Sequence, residues 1–137
     1  MERTLTILKP DAVSAGKAGA ILAHLEGEGF RFLALRKLRL SAEQARAFYA
    51  VHRERPFYDA LVRFMTEGPV LVAALERADA VAHLRKTMGA TDSRKAEPGT
   101  VRKLFGADIE RNAIHGSDSK ENAAKEIAFF FSEGELI

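Results

Sequence analysis

The chain has 137 residues, no cysteine, and 21 Lys plus Arg against 19 Asp plus Glu, a net charge of +2. That length supports a single domain over 1–137 with a core that needs no staples, and the absent thiols exclude disulfides, thiolate catalysis and cysteine-based zinc or iron–sulfur sites. Hydrophobic and charged fractions of 47% and 29% suit a soluble globule; no leader-like start and no run near 18 apolar residues stands out, so a cytoplasmic, non-membrane protein is expected.

Residues 4–9 predict a strand that stops at Pro10, because the residue before proline is held extended. Residues 11–16 read as a loop. Residues 17–28 predict a helix with Ala18, Ile21, Leu22 and Leu25 on one face, closed by Gly29. A long strand is expected over 30–40, its two parities of leucine reconciled either by a bulge near Arg36-Lys37 or by a strand boundary that falls elsewhere. Ser41 and Gln44 have capping-box spacing, which starts a short helix over 42–49. A break at 53–56 precedes a second short helix over 57–65, with Leu61, Phe64 and Met65 inward. After the Gly68-Pro69 turn, the continuously apolar 70–75 suits a central strand. Asp79 is placed to cap a helix reaching Thr87. Residues 88–108 read as one long loop, a length that a compact domain keeps for function. A last strand over 110–114 and a helix opened by Asp118 and Glu121, with an apolar stripe of Ala123, Ala124, Ile127, Ala128 and Phe131, complete the order. Four strands interleaved with helices make an α/β sandwich with a split βαβ arrangement and a mainly antiparallel sheet.

Of the four histidines, His24 and His83 read as helix-surface residues and His52 as a capping or supporting group; none has the spacing of a metal site. His115 differs. It lies in Asn112-Ala113-Ile114-His115-Gly116-Ser117-Asp118, between a predicted strand and a predicted helix. Gly116 removes bulk beside the ring, Ser117 and Asp118 are polar neighbours, and Glu126 on the next helix is placed to fold back on the imidazole. Neutral imidazole is a good nucleophile near pH 7, and a carboxylate on one ring nitrogen fixes the tautomer. Phosphoryl transfer then requires cations around the equatorial oxygens. Between Arg85 and Lys103 stand six cations (Arg85, Lys86, Arg94, Lys95, Arg102, Lys103) against Asp92 and Glu97, a local +4 that leaves the rest of the chain at −2. Neither common glycine-rich nucleotide loop is present. Phe57 and Leu61, one helical turn apart, are an apolar lip for a base or ordinary core.

Over essentially its whole length the chain resembles the nucleoside diphosphate kinase family. Asn112-Ala113-Ile114-His115-Gly116-Ser117-Asp118-Ser119 is similar to that family's active-site signature. Thr6-Ile7-Leu8-Lys9-Pro10-Asp11-Ala12-Val13, Arg55-Pro56-Phe57-Tyr58 and Pro98-Gly99-Thr100-Val101-Arg102 match three further blocks in order. The resemblance implies a ferredoxin-like sandwich and a ping-pong reaction. A nucleoside triphosphate, typically ATP, gives its γ-phosphoryl group to histidine, and a nucleoside diphosphate then takes it. It implies Mg²⁺ held mainly by phosphates and water, broad tolerance of base and sugar, and homo-oligomers, with a hexamer favoured over a tetramer. Carried over by residue, His115 is the nucleophile through Nδ1. Glu126 holds the other ring nitrogen, Ser117 links to Glu126, and Tyr49 packs and hydrogen-bonds near the phosphohistidine. Arg85, Thr91 and Arg102 bind phosphates. Lys9 and Asn112 reach ribose hydroxyls or phosphate oxygens, Lys9 counting also among the catalytic group. Phe57 stacks on the base between Leu61 and Ile109, and Asp118 assists a metal-bound water.

The sequence departs from the family pattern at Asp92-Ser93, where Asn-Pro is usual, and at Lys103, where glycine is common. The tail after Phe131 is short beside animal relatives. Two other readings compete: a nucleic-acid-binding α/β domain using the basic 85–103 segment, with such binding also conceivable as a secondary activity, and another phosphohistidine enzyme such as a mutase. An RNA-binding sheet needs exposed aromatics on adjacent strands; neither 4–9 nor 110–114 carries one.

Overall fold

The computed structural model describes residues 1–137. Strands β1 (Glu2–Leu8), β2 (Arg31–Leu38), β3 (Val70–Arg77) and β4 (Ile114–Gly116) form one sheet in the order β2-β3-β1-β4, and every neighbouring pair is antiparallel. β1 and β2 therefore run parallel with β3 between them, and β3 and β4 run parallel with β1 between them. These are two split βαβ units, the ferredoxin-like sandwich expected from the sequence.

Helices cover both faces. α1 (Pro10–Ser14), α2 (Ala18–Gly27), α5 (Ala80–Met88) and α6 (Val101–Phe105) pack on one face, around Leu8, Ala73, Leu75 and Ile114. α3 (Ala42–Phe48), α4 (Tyr58–Met65) and α7 (Lys120–Phe130) pack on the other, around Leu5, Ile7, Val70 and Val72. A strand buried on both faces has no polar parity, which is why β3 is continuously apolar. The Ser41–Gln44 box forms as spaced: Gln44 N–H donates to Ser41 Oγ at 3.0 Å, and Ser41 N–H donates to Gln44 Oε1 at 2.9 Å. α2 ends in a Schellman motif, with Gly29 at φ +88° and Phe30 N–H reaching Leu25 O.

Several boundaries differ from expectation. Residues 10–14 are a helix rather than loop, because Pro10 is pre-set for the first helical turn and Asp11 sits at its positive end. The β2 bulge lies between Phe32 and Ala34, not at Arg36-Lys37, so Leu33 and Ala34 both turn toward one core. Asp79 stands at the head of α5 in a left-handed conformation and makes no side-chain cap; Glu2 Oε1 instead accepts from Val81 N–H at 2.8 Å. The expected loop over 88–108 contains a 3-10 turn at Ser93–Lys95 and α6, capped by Thr100. β4 starts at Ile114, so His115 lies within the strand rather than after it. Ser119, not Asp118, caps α7, whose buried stripe is Ala123, Ile127 and Phe130, with Ala124 and Ala128 exposed.

Candidate active site

β4 is an edge strand of three residues, and His115 is its middle one, opposite Ile7 of β1. Thr6 Oγ1 donates to His115 O at 2.8 Å, which anchors the strand at the histidine itself. Gly116 is required by the neighbouring helix rather than by the ring: an added Cβ would stand 2.7 Å from Met88 Sδ and 2.9 Å from Leu84 Cδ2 of α5. This corrects the expectation that glycine clears space beside the imidazole.

The His115 ring is held from three sides. Its Nε2 lies 2.8 Å from Glu126 Oε1, and the same oxygen accepts from Ser117 Oγ at 2.8 Å. A carboxylate accepts only, so the ring proton resides on Nε2 and Nδ1 carries the lone pair. Phe48 and Tyr49 meet the ring edge-on, with centroids at 5.5 and 6.2 Å. Tyr49 Oη is buried with no hydrogen-bond partner; burial, and next the Glu126 charge, push its pKa far above the usual phenol range and keep the phenol protonated.

These groups open into a cleft of ≈ 830 Å³. Of the thirteen residues singled out from the sequence, twelve line it: Lys9, Tyr49, Phe57, Leu61, Arg85, Thr91, Arg102, Ile109, Asn112, His115, Asp118 and Glu126. Ser117 stands behind Glu126, fully buried. Lys9 Nζ donates to Asn112 Oδ1 at 2.8 Å, and Asn112 Nδ2 donates to Thr91 O at 3.0 Å and Ile109 O at 3.2 Å. Three separate segments are thereby tied at one point. Burial, and next the nearby Arg102 guanidinium, bring the Lys9 ammonium down to about 8. Arg102 donates to Ile114 O at 2.8 Å and Gly89 O at 3.0 Å, while its Nε is buried without a partner. Burial and then Arg85 lower it to about 10, which leaves it charged at neutral pH. At the mouth, Phe57 and Ile109 are 50% and 60% exposed, two apolar surfaces open to a planar ligand.

The +4 block does not act as a unit. Only Arg85 and Arg102 of its six cations line the cleft. Arg94 is turned onto Asp92, donating to it from Nε and Nη2 at 3.0 and 2.9 Å. The cleft draws its other cations from elsewhere, Lys9 from the end of β1 and Lys125 from α7. Sequence reasoning missed Phe48, Asn122, Lys125 and Phe129, and gave His52 only a supporting role; all five line the cleft. Asn122, Lys125, Glu126 and Phe129 are spaced i, i+3, i+4, i+7, one face of α7, so the signal was present beside Glu126. No three His, Asp or Glu converge to hold a metal ion by themselves. Asp118 is kept ionised first by Asn122 Nδ2, which donates to it at 2.6 Å, and then by Arg85. One ionised carboxylate at the rim fits a cation carried mostly by phosphate oxygens and water.

A family model described as nucleoside diphosphate kinase matches residues 2–136. Among relatives named nucleoside diphosphate kinase, one from Nitratiruptor sp. is 54% identical over 137 residues, all of both chains. Another, from Sulfurimonas denitrificans, is 56% identical over 136 residues, 99% of each. The solved nucleoside diphosphate kinase of Aquifex aeolicus superposes with a TM-score of 0.97 at 50% identity, covering 99% of each chain. That of Halobacterium salinarum, in complex with CDP, gives 0.94 at 43% identity over 99% of this chain and 91% of its own.

Proposed function

Since the chain belongs to the nucleoside diphosphate kinase family, we propose that its nucleotide phosphotransfer runs through His115, with the cleft residues in the following roles. The Nδ1 lone pair attacks the γ-phosphorus of a nucleoside triphosphate, the bond from that phosphorus to the β,γ-bridging oxygen breaks, and the diphosphate leaves. The second half-reaction reverses these events onto a new diphosphate. The observation that carries the reading is the Ser117–Glu126–His115 chain. It fixes the Nε2 proton and leaves Nδ1 free, so imidazole needs no general base. As phosphorylation places positive charge on the ring, Glu126 is already beside it.

Arg102, Arg85 and Thr91 take the phosphates, Arg102 following the migrating charge with a guanidinium already fixed on two carbonyls. Lys9 and Asn112 take ribose hydroxyls or the adjacent phosphate oxygens, and the Tyr49 hydroxyl donates near the phosphohistidine. The base lies between Phe57 and Ile109 over Leu61, gripped by area rather than read at its edge, which leaves the enzyme tolerant of base identity. Mg²⁺ bound with the triphosphate would supply charge neutralisation, and Asp118 would help hold it through a water. Residues 1–137 act as a single domain, cytoplasmic, in a homo-oligomer with a hexamer favoured over a tetramer. No helix is long and apolar enough to cross a membrane.

Incubation with γ-labelled ATP, Mg²⁺ and several nucleoside diphosphates tests the reading. The expected result is an acid-labile phosphate on the His115 peptide and label in every triphosphate formed. Retained turnover in His115→Ala would exclude the nucleophile, and transfer to sugar phosphates instead of diphosphates would favour a mutase.

A further inference from the structure

Ala113 is one of two non-glycine residues with a positive φ, at 73°, and it is fully buried. Both of its backbone groups are held by the segment that leaves β1. Its N–H donates to Asp11 Oδ2 at 3.1 Å, and its carbonyl accepts from Lys9 N–H at 2.8 Å. An L-residue is strained in this region and persists only where its surroundings fix it. Asn112, which holds Lys9 Nζ, precedes it; Ile114 and His115 follow.

The hydrogen bond alone does not explain a carboxylate. An amide oxygen would accept the same N–H without a charge to desolvate. Asp11 Oδ1 has no partner at all, and burial raises the pKa of the group above the usual carboxylate range. The neighbour that a negative charge serves is Lys9. The charged groups acting on Lys9 are Arg102 from α6, which opposes its protonation, and Asp11 from α1 and Glu110 from the loop before β4, which favour it.

We propose that Asp11 is a positioning residue for the phosphotransfer: its carboxylate holds Ala113 in the left-handed turn that delivers Asn112 and His115 to the cleft. Its charge, two residues from Lys9 and bonded to the same Ala113 that accepts from Lys9 N–H, also favours the Lys9 ammonium. This rests on the reading of His115 as nucleophile and Lys9 as a nucleotide-binding group. Asp11→Asn keeps the acceptor and removes the charge, whereas Asp11→Ala removes both.

The direct measurement is titration of Lys9 by NMR of its side-chain carbon in wild type and Asp11→Asn, which does not depend on turnover. The midpoint near 8 in wild type falls by about one unit in Asp11→Asn, a fivefold loss of charged Lys9 at pH 8. Diphosphate affinity at pH 8 falls by about the same factor, with the gap narrowing toward pH 6.5. At pH 6.5, where Lys9 is charged in both, Asp11→Asn turns over about tenfold faster than Asp11→Ala. An unchanged Lys9 midpoint in Asp11→Asn overturns the charge role. Equal turnover of the two variants at pH 6.5 overturns the positioning role. If Asp11→Ala does not fold, Asp11→Glu replaces it, since an extra methylene moves the acceptor while keeping the charge. A wild type that takes no phosphate on His115 refutes the functional reading, and the Lys9 midpoint then still decides the charge role.

Discussion

Gly116→Ala is the sharpest test of how His115 is placed. The new methyl would lie 2.7 Å from Met88 Sδ and 2.9 Å from Leu84 Cδ2, where ordinary contacts are about 3.5–4.0 Å. Nearly 1 Å must therefore open between β4 and α5. Leu84 and Met88 are at most 1% exposed and locked in the core, whereas β4 is three residues long and pairs only with β1. The strand yields, and His115 moves with it. Overpacking of this kind costs about 1–3 kcal/mol. At about 2.1 cal/mol/K per residue, the 137 residues lose roughly 0.3 kcal/mol of stability per degree, so Tm falls by about 3–10 °C at fixed protein concentration. A reacting atom displaced by up to 1 Å costs as much as about a hundredfold in kcat. Thermal unfolding and steady-state turnover read the two effects separately. Met88→Ala in the same chain removes the nearer of the two clashes and leaves room for Leu84 to shift, so the double variant is less impaired than the single effects combined. Wild-type Tm and kcat in Gly116→Ala, or strict additivity with Met88→Ala, would refute the reasoning.

Glu126→Gln lets the side chain donate as well as accept, which admits the tautomer protonated at Nδ1; kcat drops by about tenfold or more with little change in KM, and an unchanged kcat removes Glu126 from the mechanism. Phe57→Ala loses a stacking surface worth about 1–3 kcal/mol, so diphosphate Kd rises about tenfold while kcat holds; equal losses in both would place Phe57 in the chemistry. Arg102→Ala slows transfer more than it weakens diphosphate binding, and because Ile114 O and Gly89 O lose their donor, it also lowers stability by about 1–3 kcal/mol. Lys9 titrates near 8, below its unfolded value of about 10.4. Nucleotide affinity therefore weakens as pH rises through 8, while the Lys9 share of apo stability increases between pH 8 and about 10.4, because the unfolded chain binds the proton there and the native one does not. A flat Kd from pH 7 to 9 refutes this.

The elements legible in the sequence are those whose cause is local. Ser41 and Gln44 carry both halves of a cap within four residues, and β3 announces burial on both faces by having no polar parity. β4 was misplaced because nothing local makes Ile114-His115-Gly116 a strand; its partner Ile7 lies more than a hundred residues away. α1 has only five residues, and its signals, Pro10 and Asp11, also fit a turn. The basic segment misled for a different reason. Charge counted along a chain carries no direction, and in the fold Arg94 turns onto Asp92 at the position where the family pattern has Asn-Pro. Asp92 also caps the following 3-10 turn, so this departure re-ties the loop with an ion pair. Seven of the twelve cleft residues (His115, Glu126, Asp118, Arg85, Arg102, Phe57 and Leu61) stand out by charge and spacing, and Lys9, Tyr49, Thr91, Ile109 and Asn112 come through the resemblance; the depth of Lys9, the orphan Tyr49 hydroxyl and the place of Asp11 depend on packing that no short window contains.

The pairing of β1 with β4 also sets a schedule. Leu8 finds Ile114 only after 106 intervening steps of chain, about 5–20 s of synthesis at ordinary ribosomal rates. Through that interval one side of β1 lacks its ladder partner, an open strand edge in a nascent molecule. Because His115 lies on the segment that covers this edge, pairing of β4 with β1 and delivery of His115 to the cleft are one event. A chain cut short before β4 holds neither His115 nor the strand that pairs with this side of β1.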